Sequence, residues 1–330
     1  AVAKDHGCII GDPHAVRCWG LNTHGQLGTG DLLAHGDGTN TVADAGPISL
    51  WTSSAKAVQV TAGDGFTCIL LDNFQVGCFG KGFTDTPPAM VSSLEPLVFG
   101  DGNVLIKQIS SSLQHTCALS IDDEVFCWGS DSENQLGSER PPRAVFEGSP
   151  GDFLFEPQRV ALPIGTKPVQ VVATGVSSCV VALSGDVICR GGGVAEFSHR
   201  PNTVQYGSSN DPVLNAPSLP FNSHFHNVRQ VGFLVASSTN SLHEAACVAV
   251  GTGRVQCWGK NHECVLGLPG TRSSGSVNFA NDDTNLADAV FTYGALPKPL
   301  SVPPPTRLSK GDDYTCAVKN SSVICWGQDD

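Results

Sequence analysis

Cysteine is the residue type with the clearest capacity for chemistry here, because the 13 copies recur at a regular spacing. Twelve of them form six pairs whose members lie nine or ten positions apart. Zinc motifs usually bring two cysteines to within roughly two to four residues of each other. The wider spacing therefore favours disulfide bonds and an oxidising compartment. The predicted bridges are Cys8–Cys18, Cys68–Cys78, Cys117–Cys127, Cys179–Cys189, Cys247–Cys257 and Cys316–Cys325.

Two further residues are candidates for covalent modification. Cys264 has no partner at the common spacing. An odd cysteine in an oxidising compartment is either a free thiol or half of a bridge to another chain, and we keep both alternatives open. Asn320 begins an Asn-Ser-Ser sequon and is the glycosylation candidate.

The other polar residues form no recognised catalytic motif. His224 and His226 have a spacing that could ligate a metal, but no further ligand is evident near them. Phosphate loops, nucleophile elbows and zinc-protease helices do not occur. We therefore predict no catalytic residue, no metal and no cofactor, and a protein that is not an enzyme.

Composition narrows the range of partners. The net charge is −12 and the 19 basic residues are scattered singly, whereas binding to phosphate backbones needs clustered Lys and Arg. No apolar run approaches the roughly 20 residues of a membrane span. The sequence predicts neither nucleic-acid binding nor a membrane span. Because the chain lacks an initiator Met and a signal peptide, we expect a processed product or a fragment.

The elements that carry the cysteine pairs are predicted to be β-hairpins. If two paired cysteines face each other, the midpoint of each interval should have turn chemistry. Five midpoints fit this expectation: Pro13, Asn73, Asp122, Ser184 and Thr252. These five hairpins should have loops of three or five residues. The sixth interval is one residue shorter and should have a loop of two or four.

The hairpin recurs six times at intervals of 49 to 69 residues, each time after a strand with alternating or apolar residues. Such a repeat, without convincing helices between its copies, is typical of a β-propeller. Only residues 285–290 suggest a helical turn. We predict a single domain, 1–330, with long loop insertions rich in Gly, Ser, Asn and Pro. The insertions span residues 34–54, 137–155, 190–226 and 272–305. Residues 297–305 should be extended and polyproline-like.

The first copy continues from Trp19-Gly20 into Asn22 and then Gly25-Gln26-Leu27-Gly28, and the third has Trp128-Gly129 followed by Asn134-Gln135-Leu136-Gly137. With the fifth copy, which runs from Trp258-Gly259 to Leu266-Gly267, this resembles the repeat of the regulator of chromosome condensation family. The resemblance implies an all-β propeller with six visible blades, or seven if the chain is a fragment. Trp and Leu of the motif should fill the space between blades. Cys264 stands where other copies have Gly25 or Asn134, which predicts an exposed turn.

The resemblance and the cysteines lead to different functions. The founding member of the family is a nucleotide-exchange factor for a small GTPase, but disulfides place this chain outside the cytosol and nucleus. We therefore predict a non-catalytic extracellular binding or structural module at a cell surface or in a filamentous assembly. Its loop insertions would contact a protein partner or further copies of the chain. The alternative is a secreted enzyme or inhibitor on a propeller scaffold, and the exchange factor ranks last.

Overall fold

The computed structural model describes residues 1–36, 38–41, 46–83, 91–132, 134–137, 153–184 and 187–191, followed by the backbone of seven later strands. The described residues form an all-β structure of six small antiparallel sheets, with one short 3₁₀ helix at Val91–Ser93. The predicted fold class, a β-propeller with one cysteine hairpin per blade, is confirmed. The contacts divide the chain into two compact units, Ala1–Leu162 and Pro163–Asp330. A single domain over 1–330 stays a prediction.

The first unit contains three sheets. In each of them the strand with the first cysteine pairs with the strand that carries the second. The strands are β1 (His6–Gly11), β2 (Ala15–Gly20), β3 (Ala57–Ala62), β4 (Phe66–Leu71), β5 (Val76–Gly80), β6 (Ile106–Ser111), β7 (His115–Ser120), β8 (Val125–Ser130) and β9 (Phe153–Arg159). Their order is β1-β2, β3-β4-β5 and β6-β7-β8-β9.

The second unit repeats this arrangement. Its strands are β10 (Pro168–Thr174), β11 (Ser177–Ala182), β12 (Val187–Gly191), β13 (Gly232–Ser237), β14 (Glu244–Val250), β15 (Arg254–Gly259), β16 (Asp288–Ala289), β17 (Arg307–Lys310), β18 (Tyr314–Lys319) and β19 (Ser322–Gly327). They form the sheets β10-β11-β12, β13-β14-β15-β16 and β17-β18-β19.

The hairpin loops of the first unit have the predicted turn chemistry. Gly11 pairs with Ala15, and the backbone bonds Leu71 to Gln75 and Ser120 to Glu124 close the other two loops. Each loop therefore has three residues, and its last residue has a positive φ, at His14 (73°), Phe74 (68°) and Asp123 (64°). A left-handed residue at the end of the loop is common in three-residue hairpins. In the sixth sheet Lys319 pairs with Ser322, which leaves the predicted two residues between the strands.

Neighbouring sheets of the first unit pack through two apolar clusters. One joins Cys8, Val16 and Leu27 to residues of the second sheet, among them Ile69 and Phe79. Leu27, from the motif that follows the first hairpin, is fully buried there. This burial explains why a Leu recurs after each well-formed Trp-Gly pair.

The other cluster joins the second sheet to the third. It includes Phe66, Cys68, Phe126 and Trp128, and Trp128 is fully buried. The Trp and Leu of the motif therefore fill space between adjacent sheets, as the sequence predicts.

In the first two sheets a segment outside the named strands contacts the outer strand. The Ile48 N–H donates to the Val16 carbonyl oxygen at 2.9 Å, and the Leu97 N–H donates to that of Val76 at 2.8 Å. These two contacts protect edges that would otherwise be open to pairing. In the third sheet β9 covers β8, and Val160, directly after β9, donates to the Val125 carbonyl oxygen at 2.8 Å.

The insertions differ from their predicted bounds at three points. The structure places Phe153–Arg159 in β9, Val187–Gly191 in β12 and Asp288–Ala289 in β16, each of which overlaps a predicted insertion. The helical turn predicted at residues 285–290 is wrong at Asp288 and Ala289. These two residues form the short strand β16, which pairs with Gln256 and Val255. The polyproline stretch 297–305 lies outside the described residues.

Candidate functional site

Four of the predicted cysteine pairs have described side chains, and each forms a disulfide bond across its hairpin. The two Cα atoms of each pair are 4.1 Å apart, close to the ~4.5 Å of a non-hydrogen-bonded antiparallel pair. The backbone register also places Cys247 opposite Cys257 and Cys316 opposite Cys325. Cys264, Asn320 and the His224–His226 pair lie outside the described residues, so their predicted roles stay predictions.

A buried hydrogen-bonded chain links the first two sheets. The Thr67 hydroxyl donates to the carbonyl oxygen of Gln26 at 2.8 Å, and His6 Nε2 lies 2.8 Å from the same hydroxyl oxygen. Because the Thr67 proton points to Gln26, the proton between the two side chains must come from His6 Nε2. Burial lowers the pKa of His6 from 6.5 to about 4. The ring is therefore neutral at physiological pH and serves as a structural donor.

The threonine of this chain also meets a disulfide, and the contact repeats in the next sheet. Thr67 Oγ1 lies 3.8 Å from Cys8 Sγ, and Thr116 Oγ1 lies 3.9 Å from Cys68 Sγ. This contact was not predicted from the sequence. Its signal is a Thr directly before the first cysteine of the second and third hairpins.

The motif after the first hairpin is organised by the fully buried side chain of Asn22. Its Oδ1 accepts a bond from the Leu27 N–H at 2.9 Å, and its Nδ2 donates to the Asp31 carbonyl oxygen at 2.9 Å. In the third copy Asp131 takes the same position and accepts from the Leu136 N–H at 2.9 Å. These bonds hold the buried Leu in place. We assign the motif to the framework of the fold.

The first unit also contains an open groove of about 900 Å³. We call it the aromatic groove and define it by Phe83, Leu97, Val98, Phe126 and Phe155. It runs between residues 96–104, which connect the second sheet to the third, and the edge strand β9. The groove was not predicted from the sequence, because these residues come from separate repeats.

The base and one wall of the aromatic groove are held by ring contacts. Phe126 is 1% exposed and packs edge-on against Phe99, with ring centroids 5.6 Å apart. Phe155 meets Phe83 edge-on at 5.6 Å and lies over the backbone of Gly82. Phe155 nevertheless remains 40% exposed. The wall is therefore ordered by packing while still offering apolar surface.

On the opposite wall, Val98 is 67% exposed, and Leu97 beside it is held by its backbone bond to Val76. Pro96 and Pro157 line the two sides and provide no backbone N–H. A groove of this kind recognises side-chain shape more than backbone hydrogen-bonding groups.

The rim of the aromatic groove is acidic. Glu124 and Arg159 form an ion pair at 2.7 Å. This pair neutralises the positive charge of Arg159, which is the single basic residue of the lining. Asp101 and Glu156 also line the groove, and neither is in an ion pair within the described part of the chain. The Asn103 N–H donates to Asp101 at 3.0 Å, and this bond lowers the pKa of Asp101. The carboxylate is therefore ionised at neutral pH.

Two kinds of feature are absent from the described residues. These residues contain no group of three or more His, Cys, Asp or Glu side chains arranged to hold a metal ion. Within the same residues, no helix combines the length and the apolar character that crossing a bilayer would require.

Models of the Regulator of chromosome condensation (RCC1) repeat match residues 15–70, 106–135 and 122–182. The serine/threonine-protein kinase Nek9 of Xenopus laevis is 23% identical over 318 residues, which are 93% of this chain and 29% of that protein. The probable E3 ubiquitin-protein ligase HERC6 of Homo sapiens is 26% identical over 242 residues, 67% of this chain and 21% of that protein. The chain thus spans less than a third of the length of these curated relatives.

Among solved structures, Prp20p from Saccharomyces cerevisiae, described with its binding properties to Gsp1p and histones, superposes with a TM-score of 0.65. The sequences are 19% identical, and the match covers 99% of this chain and 70% of Prp20p. At this identity the likeness shows the fold. Together with the sheet topology, it shows that the protein is a β-propeller, in which residues 15–70 and 106–182 match the regulator of chromosome condensation repeat.

Proposed function

We propose that the chain is a non-catalytic protein-binding module of the cell surface or extracellular space, and that its partner contacts the aromatic groove. The observation that carries the proposal is the exposed apolar surface of Phe155 and Val98 on opposite walls of this groove. Apolar side chains buried in a contact each contribute about 1.5–3 kcal/mol, and aromatic anchors dominate many interfaces. Propeller folds of this repeat are associated with protein–protein interaction, which agrees with such a role.

The compartment is proposed from the disulfides. Cysteine bridges form and persist in oxidising environments and are rare in the cytosol and nucleus. A bridge in each of the first four hairpins is costly to maintain in a reducing compartment. This argument favours an extracellular or cell-surface location over that of a nuclear exchange factor. A place in a filamentous or surface assembly follows if several copies or neighbouring proteins use the same groove.

Site-directed photo-cross-linking tests the proposed contact. A photoreactive amino acid is placed at Val98, in the aromatic groove, and for comparison at Ile164, which is fully exposed and outside the groove. Both proteins are secreted in the native host and irradiated on intact cells or assemblies. We expect a discrete cross-linked protein from position 98 and none from position 164. Equal cross-linking at both positions, or none at either, contradicts the proposal.

A further inference from the structure

We infer that the aromatic groove takes an extended, proline-rich segment of a partner protein that carries a basic side chain next to its prolines. The inference rests on the proposed function and specifies the chemistry of the partner. Three features of the groove lead to it: the aromatic lining, the irregular edge strand and the acidic rim.

The lining suits proline. Polyproline-type segments are extended before binding, so they lose little conformational entropy when their rings pack into an aromatic-lined groove. The aromatic groove provides Phe83 and Phe155 on one wall and the base at Phe126. Its volume of about 900 Å³ is suited to a few residues of chain and too small for a folded domain.

The edge of the groove argues against the other common mode of peptide binding. Addition of a partner strand needs a regular row of backbone N–H and C=O groups. Strand β9 contains Pro157, which has no N–H. Its register against β8 also shifts between Leu154 and Gln158. A partner strand would therefore meet an interrupted row of hydrogen-bonding groups. A polyproline segment does not need such a row, because its conformation requires no backbone hydrogen bonds.

The rim selects for positive charge. Arg159 is already paired with Glu124. The negative charges of Asp101 and Glu156 are therefore not neutralised by a cation of the groove lining. The chain as a whole has a net charge of −12, which steers basic partners toward it and repels acidic ones. An acidic or phosphorylated segment would face like charges on the rim.

Fluorescence anisotropy with three labelled peptides tests this inference on the intact chain. The first probe is a repeat of Pro-Leu-Pro followed by two arginines. In the second, glutamates replace the arginines. In the third, alanines replace the prolines. We expect the first to bind in the micromolar range, and the other two at least about tenfold more weakly. Raised salt should weaken the first because exposed charges are screened.

Variants locate the binding site. Phe155→Ala should weaken the first peptide about tenfold or more, as expected for an aromatic anchor, and Ile164→Ala should have no effect. Val98→Asp serves as a second groove variant, because Val98 is largely exposed and its replacement spares the packed wall. Glu156→Lys should reverse the preference between the arginine and glutamate peptides.

Each outcome decides between the hypotheses. Equal binding of the proline and alanine peptides, or binding unaffected by both Phe155→Ala and Val98→Asp, overturns the inference. If no peptide binds while position 98 still cross-links a partner, the proline-rich class is wrong and the proposed function stands. If both experiments fail, the proposed function fails as well. A dimer that dissociates in the Val98→Asp variant would assign the groove to a second copy of the chain and overturn the inference.

Discussion

At the scale of single residues, the buried positions divide into those that the sequence predicts and those it does not. The motif places Trp128 and Leu27 between blades, and the structure agrees. His6 gives no such signal, because its partner Thr67 is 61 positions away and meets it only when two sheets pack. Polar contacts between distant repeats depend on three-dimensional packing and leave little trace in a single sequence.

The buried His6 should make the protein sensitive to acid. Its pKa falls from 6.5 to about 4 on folding, because burial outweighs the opposing effect of Asp5 and Asp64. Below the unfolded pKa the unfolded chain binds a proton that the folded chain does not, so the free energy of unfolding decreases as pH falls through this window. The full loss is on the order of 3 kcal/mol.

Urea unfolding at a series of pH values between 7 and 4 measures this dependence. His6→Gln keeps a side-chain donor without the titration, so the decrease between about pH 6.5 and 4 should be smaller than in the parent chain. His24→Gln replaces an exposed histidine and should leave the decrease unchanged. Parallel curves for all three proteins would rule out His6 as the source.

Trp128 offers a second prediction at the residue scale. Its indole ring is fully buried, and within the described part of the chain its Nε1 has no hydrogen-bond partner. Trp128→Ala should lower the free energy of unfolding by about 3–5 kcal/mol. Trp128→Phe should cost much less, because it leaves a smaller cavity and removes an unpaired donor.

The second copy carries Phe79 at the position equivalent to Trp128, opposite Thr67. The fold therefore already accommodates Phe at this position. Chemical unfolding of both variants measures the two losses. Equal losses in the Ala and Phe variants would contradict the interpretation that the ring's volume is what stabilises the contact between blades.

At the scale of elements, the hairpins were predictable because one known pair of facing residues sets the register of two antiparallel strands. The positions of Cys68 and Cys78 alone place the loop around Asn73. The outer-edge bonds of Ile48 and Leu97 were not predictable in the same way. They are single contacts made by irregular segments, and a Pro directly before each of these residues is the sole local signal.

Removal of one hairpin disulfide should reveal how much each bridge stabilises its blade. Each of the four described bridges spans a sequence separation of 10, and closing such a short loop is worth about 2–3 kcal/mol in the chain-entropy model. The double variant Cys68→Ala/Cys78→Ala should therefore unfold at a clearly lower urea concentration. Cys264→Ser is the matched control, because it removes a cysteine outside the hairpin pairs. An unchanged unfolding midpoint in the double variant would contradict the expected role.

At the scale of the whole molecule, the six hairpins together predict the oxidation state of their twelve cysteines. Backbone register already sets Cys247 opposite Cys257 and Cys316 opposite Cys325, the same arrangement as in the four bridged hairpins. If all six pairs are oxidised, twelve of the 13 cysteines are protected and Cys264 is the one left over. Alkylation of the native protein after denaturation without reduction, followed by peptide mass spectrometry, should then modify no cysteine other than Cys264.

The same experiment distinguishes the two states of Cys264. Modification of Cys264, together with a monomer on a non-reducing gel, identifies a free thiol. A lack of modification, with a larger species that disappears on reduction and in Cys264→Ser, identifies a bridge to another chain. Modification of Cys247, Cys257, Cys316 or Cys325 would contradict the six-bridge arrangement. It would also weaken the case for an oxidising compartment, because fewer hairpins would be bridged.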